Sequence, residues 1–162
     1  MVDDAAKINM DIMRVLEICR DIELACGELY NYYAEIFCNH EELAALWLKT
    51  AREEGNHARQ FVLAINLQRQ QVADSARIDG FTAKNMLNMI KTVYDGVRGK
   101  KPSMLEALSS AIKLEEKLQG CHMSTAVHFV EESHRQLFTA MMKADKDHVE
   151  ALRRFHQRLL TA

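Results

Sequence analysis

Ala51-Arg52-Glu53-Glu54-Gly55-Asn56-His57-Ala58 lies within a proline-free run whose apolar residues recur at alternating steps of three and four. Leu43, Trp47, Thr50, Glu54, His57, Phe61 and Ala64 share one stripe of a helix, the stripe that faces neighbouring helices. A carboxylate and an imidazole three residues apart therefore interrupt an otherwise apolar seam. Glu53 is out of phase but stands four residues before His57, so Glu54 is preferred and Glu53 stays open as the inward carboxylate.

Three other stripes carry similar interruptions. The first reads Ile12, Leu16, Cys19, Glu23, Cys26, Tyr30, Tyr33, Phe37, with Glu23 its one carboxylate. A later one reads Leu105, Leu108, Ile112, Glu115, Gln119, His122, Ala126, Phe129, and the last reads Phe138, Met141, Asp145, His148, Leu152, Phe155, Leu159. Counted from the turns between helices at 1.5 Å per residue, Glu23, Glu54, Glu115, Asp145 and His148 all fall at roughly 20–24 Å. The polar groups thus converge on one layer. Burying four carboxylates without counter-charge costs several kcal/mol apiece, and no Lys or Arg occupies the four stripes.

The rest of the chain fits a helical fold. Its 162 residues suit one domain spanning 1–162, and six Gly and one Pro leave long stretches of good helix formers. Breaks fall at Cys38-Asn39-His40, across the polar run from about Gln68 to Gly80, and at Gly99-Lys100-Lys101-Pro102, with a weaker one near Glu131-Glu132-Ser133. Helices are predicted at about Asp4–Cys38, Glu41–Gln70, Thr82–Arg98, Ser103–Val130 and Ser133–Leu160, with Thr82 and Ser103 as N-caps. The expected class is all-α: a ferritin-like four-helix bundle of two antiparallel hairpins, joined by a long crossover (about 70–102) that contains an extra helix.

A net charge of −2 with interspersed signs gives no basic face for nucleic acid or an anionic membrane. The acidic start MVDDAAKINM is unlike a signal peptide, and no apolar stretch approaches a membrane span of about 18 residues; a cytoplasmic protein is expected. Cys19, Cys26, Cys38 and Cys121 form no Cys-x-x-Cys pair, which reads as reduced thiols rather than a rubredoxin or zinc-ribbon site.

Carboxylates with imidazoles favour iron, with manganese or zinc as alternatives, over the softer metals that thiolates select. Two iron ions would take Glu23 and Asp145 as terminal carboxylates, Glu54 and Glu115 as bridges, and His57 and His148 as one nitrogen each. Such a pair delivers two electrons to dioxygen or peroxide.

The segments Glu23 to Tyr30, Ala51 to Ala58, Ala111-Ile112-Lys113-Leu114-Glu115 and Asp145-Lys146-Asp147-His148 resemble the four metal-binding segments of the rubrerythrin branch of ferritin-like proteins. The resemblance covers nearly the whole chain. It implies a di-iron oxidoreductase that reduces hydrogen peroxide or dioxygen, or oxidises ferrous iron, with Tyr30 matching a tyrosine beside the metals. Leu118 stands where that branch has a further Glu, Asp145 where it has a Glu, and the absent rubredoxin motif implies a separate electron-donor protein. The six-ligand set is closer to bacterioferritin. His122 reads chiefly as structural, with a supporting or ligating role as the alternative. A homodimer is the expected assembly. Competing functions are an iron-storage protein with a ferroxidase centre and a non-enzymatic helical adaptor.

Overall fold

The computed structural model describes residues 2–143 and 148–161 and is predominantly helical. In chain order the elements are α1 (Val2–Ile36), α2 (Glu41–Gln68), β1 (Ala73–Ala76), α3 (Gly80–Gly99), α4 (Met104–Leu118), a 3₁₀ turn (Gln119–Cys121), α5 (Met123–Ala126), β2 (Val127–Phe129), α6 (Glu132–Lys143) and α7 (His148–Thr161). None of the described helices is long and apolar enough to cross a membrane.

Helices α1 and α2 are antiparallel. The turn between them is tied by His40 N–H donating to the Phe37 carbonyl at 2.9 Å. At the far end, Gln68 Nε2 donates to Asn9 Oδ1 at 2.9 Å. Their seam is aromatic near the turn: the Trp47 ring lies 5.6 Å from Tyr30 and 4.8 Å from Tyr33, and all three are fully buried. Aromatic pairs of this kind add ~0.5–1.5 kcal/mol each beyond the area they bury.

Helix α3 returns the chain along α1 in the same direction, with Gly80 beside Arg14 at one end and Tyr32 Oη donating to the Val97 carbonyl at the other. Its N-cap is Asp79 rather than the expected Thr82. The Asp79 carboxylate accepts from Thr82 N–H at 2.8 Å and from the Thr82 hydroxyl at 2.7 Å. The Asp79 side chain, ahead of Gly80, reaches the unpaired amides that Thr82, already inside the first turn, cannot satisfy. Ser103 does cap α4, in a reciprocal pair with Glu106.

Helix α7 runs antiparallel to α4, since Ser109 meets His156 while Glu116 meets Arg153. It runs antiparallel to α2 as well, with Arg158 on Glu42 and His148 beside Glu54.

The expected helix Ser103–Val130 stops at Leu118, and the chain is therefore not purely helical. Thr125 Oγ1, from the short α5, donates to the carbonyls of Gln119 and His122, which fixes a tight turn around Gly120. Beyond it, β2 pairs antiparallel with β1, Ala73 opposite Phe129 and Ala76 opposite Val127. Buried Gln68 anchors this small sheet by accepting from Ala73 N–H at 2.9 Å and donating to the Ala73 carbonyl at 3.0 Å. The buried face of α4 also differs from the expected stripe. Ala107, Leu108, Ala111, Leu114, Glu115 and Leu118 are buried, whereas Gln119 is exposed. The expected helix Ser133–Leu160 is represented by α6 and α7; residues 144–147, among them Asp145, lie outside the described residues.

Candidate metal centre

Five side chains of the predicted layer meet in the interior: Glu23 from α1, Glu54 and His57 from successive turns of α2, Glu115 from the last turn of α4, and His148 from the start of α7. None exceeds 8 % exposure. Asp145, the sixth predicted ligand, lies outside the described residues. A further histidine reaches the same layer. His122 follows the 3₁₀ turn, and its Nδ1 lies 3.4 Å from Glu23 Oε1.

These groups fall into two triads. Glu23, His57 and His122 form one; Glu54, Glu115 and His148 form the other, and within each the candidate ligand atoms lie within 4.8 Å of one another. His57 Nδ1 stands 3.4 Å from Glu23 Oε2 and 3.2 Å from Glu54 Oε2. His148 Nε2 stands 3.4 Å from Glu54 Oε1 and 3.3 Å from Glu115 Oε2. Glu54 therefore touches both imidazoles and links the triads. Glu115 contacts His148 and accepts a hydrogen bond from Tyr30 Oη.

Glu53 is set to one side. Its carboxylate lies 3.8 Å from Lys49 Nζ and 3.8 Å from His148 Nδ1, so it backs the outer nitrogen of the histidine whose inner nitrogen faces Glu54 and Glu115.

The electrostatics follow from burial and proximity. Burial alone would raise the Glu23 carboxyl, but hydrogen bonds from His122 and His57 outweigh it and hold the group well below the usual range. Burial would likewise lower His57, yet Glu23 and then Glu54 drive it up to about 11. Glu54 is pushed well up by burial and by the neighbouring charge of Glu115. His122 is raised by Glu23 against its burial. Tyr30 stays protonated, its phenol pushed up by burial and by Glu115, which keeps it a hydrogen-bond donor.

The residues fit a cation. Glu54 Oε1 and both ring nitrogens of His148 are buried with no hydrogen-bond partner among the described residues, although Nε2 has two carboxylate oxygens within 3.4 Å. Buried polar atoms seldom go unpaired. Two donors that each bind one ion at about 2.0–2.2 Å, 90–110° apart, are themselves separated by about 2.8–3.6 Å. The nitrogen–oxygen spacings within this cluster match that separation. In both triads the donors are nitrogen and oxygen, with no sulfur.

A cavity of about 480 Å³ opens onto the cluster, lined by Glu23, His57, His122, Glu115 and His148 together with Phe61 and residues of α4, α5 and α7. Glu54 does not line it. Three of the four cysteines are buried and all four are free.

His122 reads from the sequence chiefly as structural, with a supporting or ligating role as the alternative, and its ring is found beside Glu23. A helix continued through Gly120 would place it two turns past Glu115, whereas the helix ends at Leu118 and the 3₁₀ turn brings His122 to Glu23. The signal was Gly120 followed within five residues by Thr125, a glycine and a backbone-bonding hydroxyl that together favour a turn over a continued helix. Compared with protein-family models, with curated proteins and with solved structures, the chain gives no match.

Proposed function

We propose that the chain is a di-metal protein with a ferritin-like four-helix arrangement, α1, α2, α4 and the α6–α7 segment enclosing the site and α3 carrying the crossover. The observation that carries the reading is His148: buried, unpaired by hydrogen bonds among the described residues, and aimed through Nε2 at two buried carboxylates, Glu54 and Glu115. Glu54 is the shared carboxylate, Glu115 joins it on the His148 side, and Glu23 with His57 serves the other position. Asp145 remains a proposed terminal ligand on the strength of its place in the sequence.

The proposed activity is that of a di-iron oxidoreductase reducing hydrogen peroxide or dioxygen, with ferrous iron or a separate protein as electron source. Two iron ions held by these residues would supply the two electrons that reduction of an oxygen species needs. The protein supplies the rest. Fully buried Trp47 and Tyr33 pack behind Tyr30, Tyr30 keeps its own phenolic proton and donates it in a hydrogen bond to Glu115, and the cavity beside Phe61 admits a molecule of a few atoms.

Anaerobic loading of apoprotein with ferrous iron tests this directly. The expected results are about two iron atoms per chain by metal analysis, a near-ultraviolet band on oxidation, and consumption of peroxide. A metal-to-protein ratio near zero would overturn the metal reading, and full loading without peroxide or dioxygen consumption would overturn the activity. Elution as a large cage on size exclusion would instead favour iron storage.

A further inference from the structure

The two triads differ in chemistry and in access. Glu23, His57 and His122 offer two imidazoles and one carboxylate, and all three line the cavity. Glu54, Glu115 and His148 offer one imidazole and two carboxylates, and of these Glu54 is shut away from the cavity. Tyr30, itself stacked on Trp47, closes the far side of the second triad through its bond to Glu115.

Three protein donors on one face of an ion leave positions for small ligands, and two histidines with one carboxylate are the set that does so for ferrous iron. We infer that His122 is a metal ligand, and that the Glu23–His57–His122 position is the one at which an exogenous small anion or oxygen species binds. The inference rests on the di-metal reading above and adds the asymmetry between the two positions.

The local backbone suits His122 to this role. It stands between the 3₁₀ turn and α5 with extended backbone angles, and its carbonyl accepts from Thr125 N–H at 2.9 Å and from Thr125 Oγ1 at 3.0 Å. The main chain is pinned while the ring projects from outside any long helix. Its side chain is 26 % exposed against 3 % for Glu23, so it forms the rim between the cluster and the cavity. The ring sits 5.9 Å from that of His57, nearly perpendicular to it.

The test is a titration of apoprotein with Co(II), followed by calorimetry and visible absorption, then addition of azide to the loaded protein. Wild type is expected to bind two Co(II) per chain in two resolvable steps and to change its visible spectrum with azide. Loss of a coordinating group costs at least the roughly tenfold in affinity that loss of a supporting group costs. His122→Ala should therefore weaken one step by about tenfold or more, leave the other within about twofold, and abolish the azide response. Glu115→Gln should weaken the other step and keep that response. Should His122→Ala lose helicity, His122→Gln is measured in its place, with the same outcomes expected.

If the His122 variant binds both ions with wild-type affinity, or keeps its azide response, the inference is overturned while the di-metal reading stands. If wild type binds no Co(II), both fall.

Discussion

Nδ1 of His57 lies 3.4 Å from Oε2 of Glu23 across the interface of α1 and α2. This contact joins a raised imidazole to a depressed carboxylate, and it fixes the pH behaviour of the metal-free protein. The folded value of His57, about 11, exceeds its unfolded value near 6.5. Its stabilisation is fully present below pH 6.5 and is lost as pH rises toward 11. Glu23 has the opposite sign: its contribution is present above about pH 4.5 and lost as pH falls. Thermal unfolding of apoprotein should show a melting temperature that declines from pH 6.5 to pH 10, with His57→Gln flattening the decline. A rise over that interval would contradict the assignment.

Metal reverses the slope. A ligating imidazole must be neutral, so bound metal and His57 protonation compete. The melting temperature gained on adding metal should therefore widen between pH 6 and pH 8, and a chelator should erase the gain. For free metal at 100 times its dissociation constant the gain corresponds to about 2.7 kcal/mol. An equal gain at both pH values would separate metal binding from these histidines.

Much of this centre was legible in the sequence because its residues lie on helices. Glu23, Glu54 and His57 stand on long uninterrupted helices, where a residue's face follows from counting. Glu115 was found with a partly wrong stripe, since Leu114 and Leu118 rather than Ile112 and Gln119 are its buried neighbours. The phase survived because Glu115 itself belongs to both. The sheet was not legible. Ala73 to Ala76 and Val127 to Phe129 are too short for a periodic signal, and each is a strand only because the other is there. The position of His122 was not legible for the same reason, being set by the non-helical link between α4 and that sheet.

Gln68 should therefore influence the metal site from a distance. Its amide satisfies both backbone groups of Ala73, which anchors β1 and, through it, the segment that follows His122. Gln68→Ala leaves a buried donor and acceptor unpaired, at a cost of about 1–3 kcal/mol. The expected result is a lower melting temperature together with a weakened Co(II) step of the same kind as in His122→Ala. A variant that loses stability but retains both steps would show that the sheet does not position His122.

Tyr30→Phe isolates the contact with Glu115. The phenol is buried, protonated and donates to Glu115 Oε1, so its removal leaves a buried carboxylate oxygen without that donor. The ring, stacked on Trp47, is retained, and packing changes little. Losing a hydrogen bond to a charged acceptor costs ~1.5–3 kcal/mol, part of which the neighbouring His148 offsets, so the apoprotein should lose ~1–2 kcal/mol and roughly 3–6 °C in melting temperature. Tyr30 does not belong to either triad, so both Co(II) steps should persist. Peroxide consumption by the iron-loaded variant should fall severalfold if the phenol holds a proton for the reaction, with the pH profile changed rather than scaled. If turnover and its pH profile match wild type, Tyr30 serves only to seat Glu115, and the proton comes from the cavity side, where His122 stands.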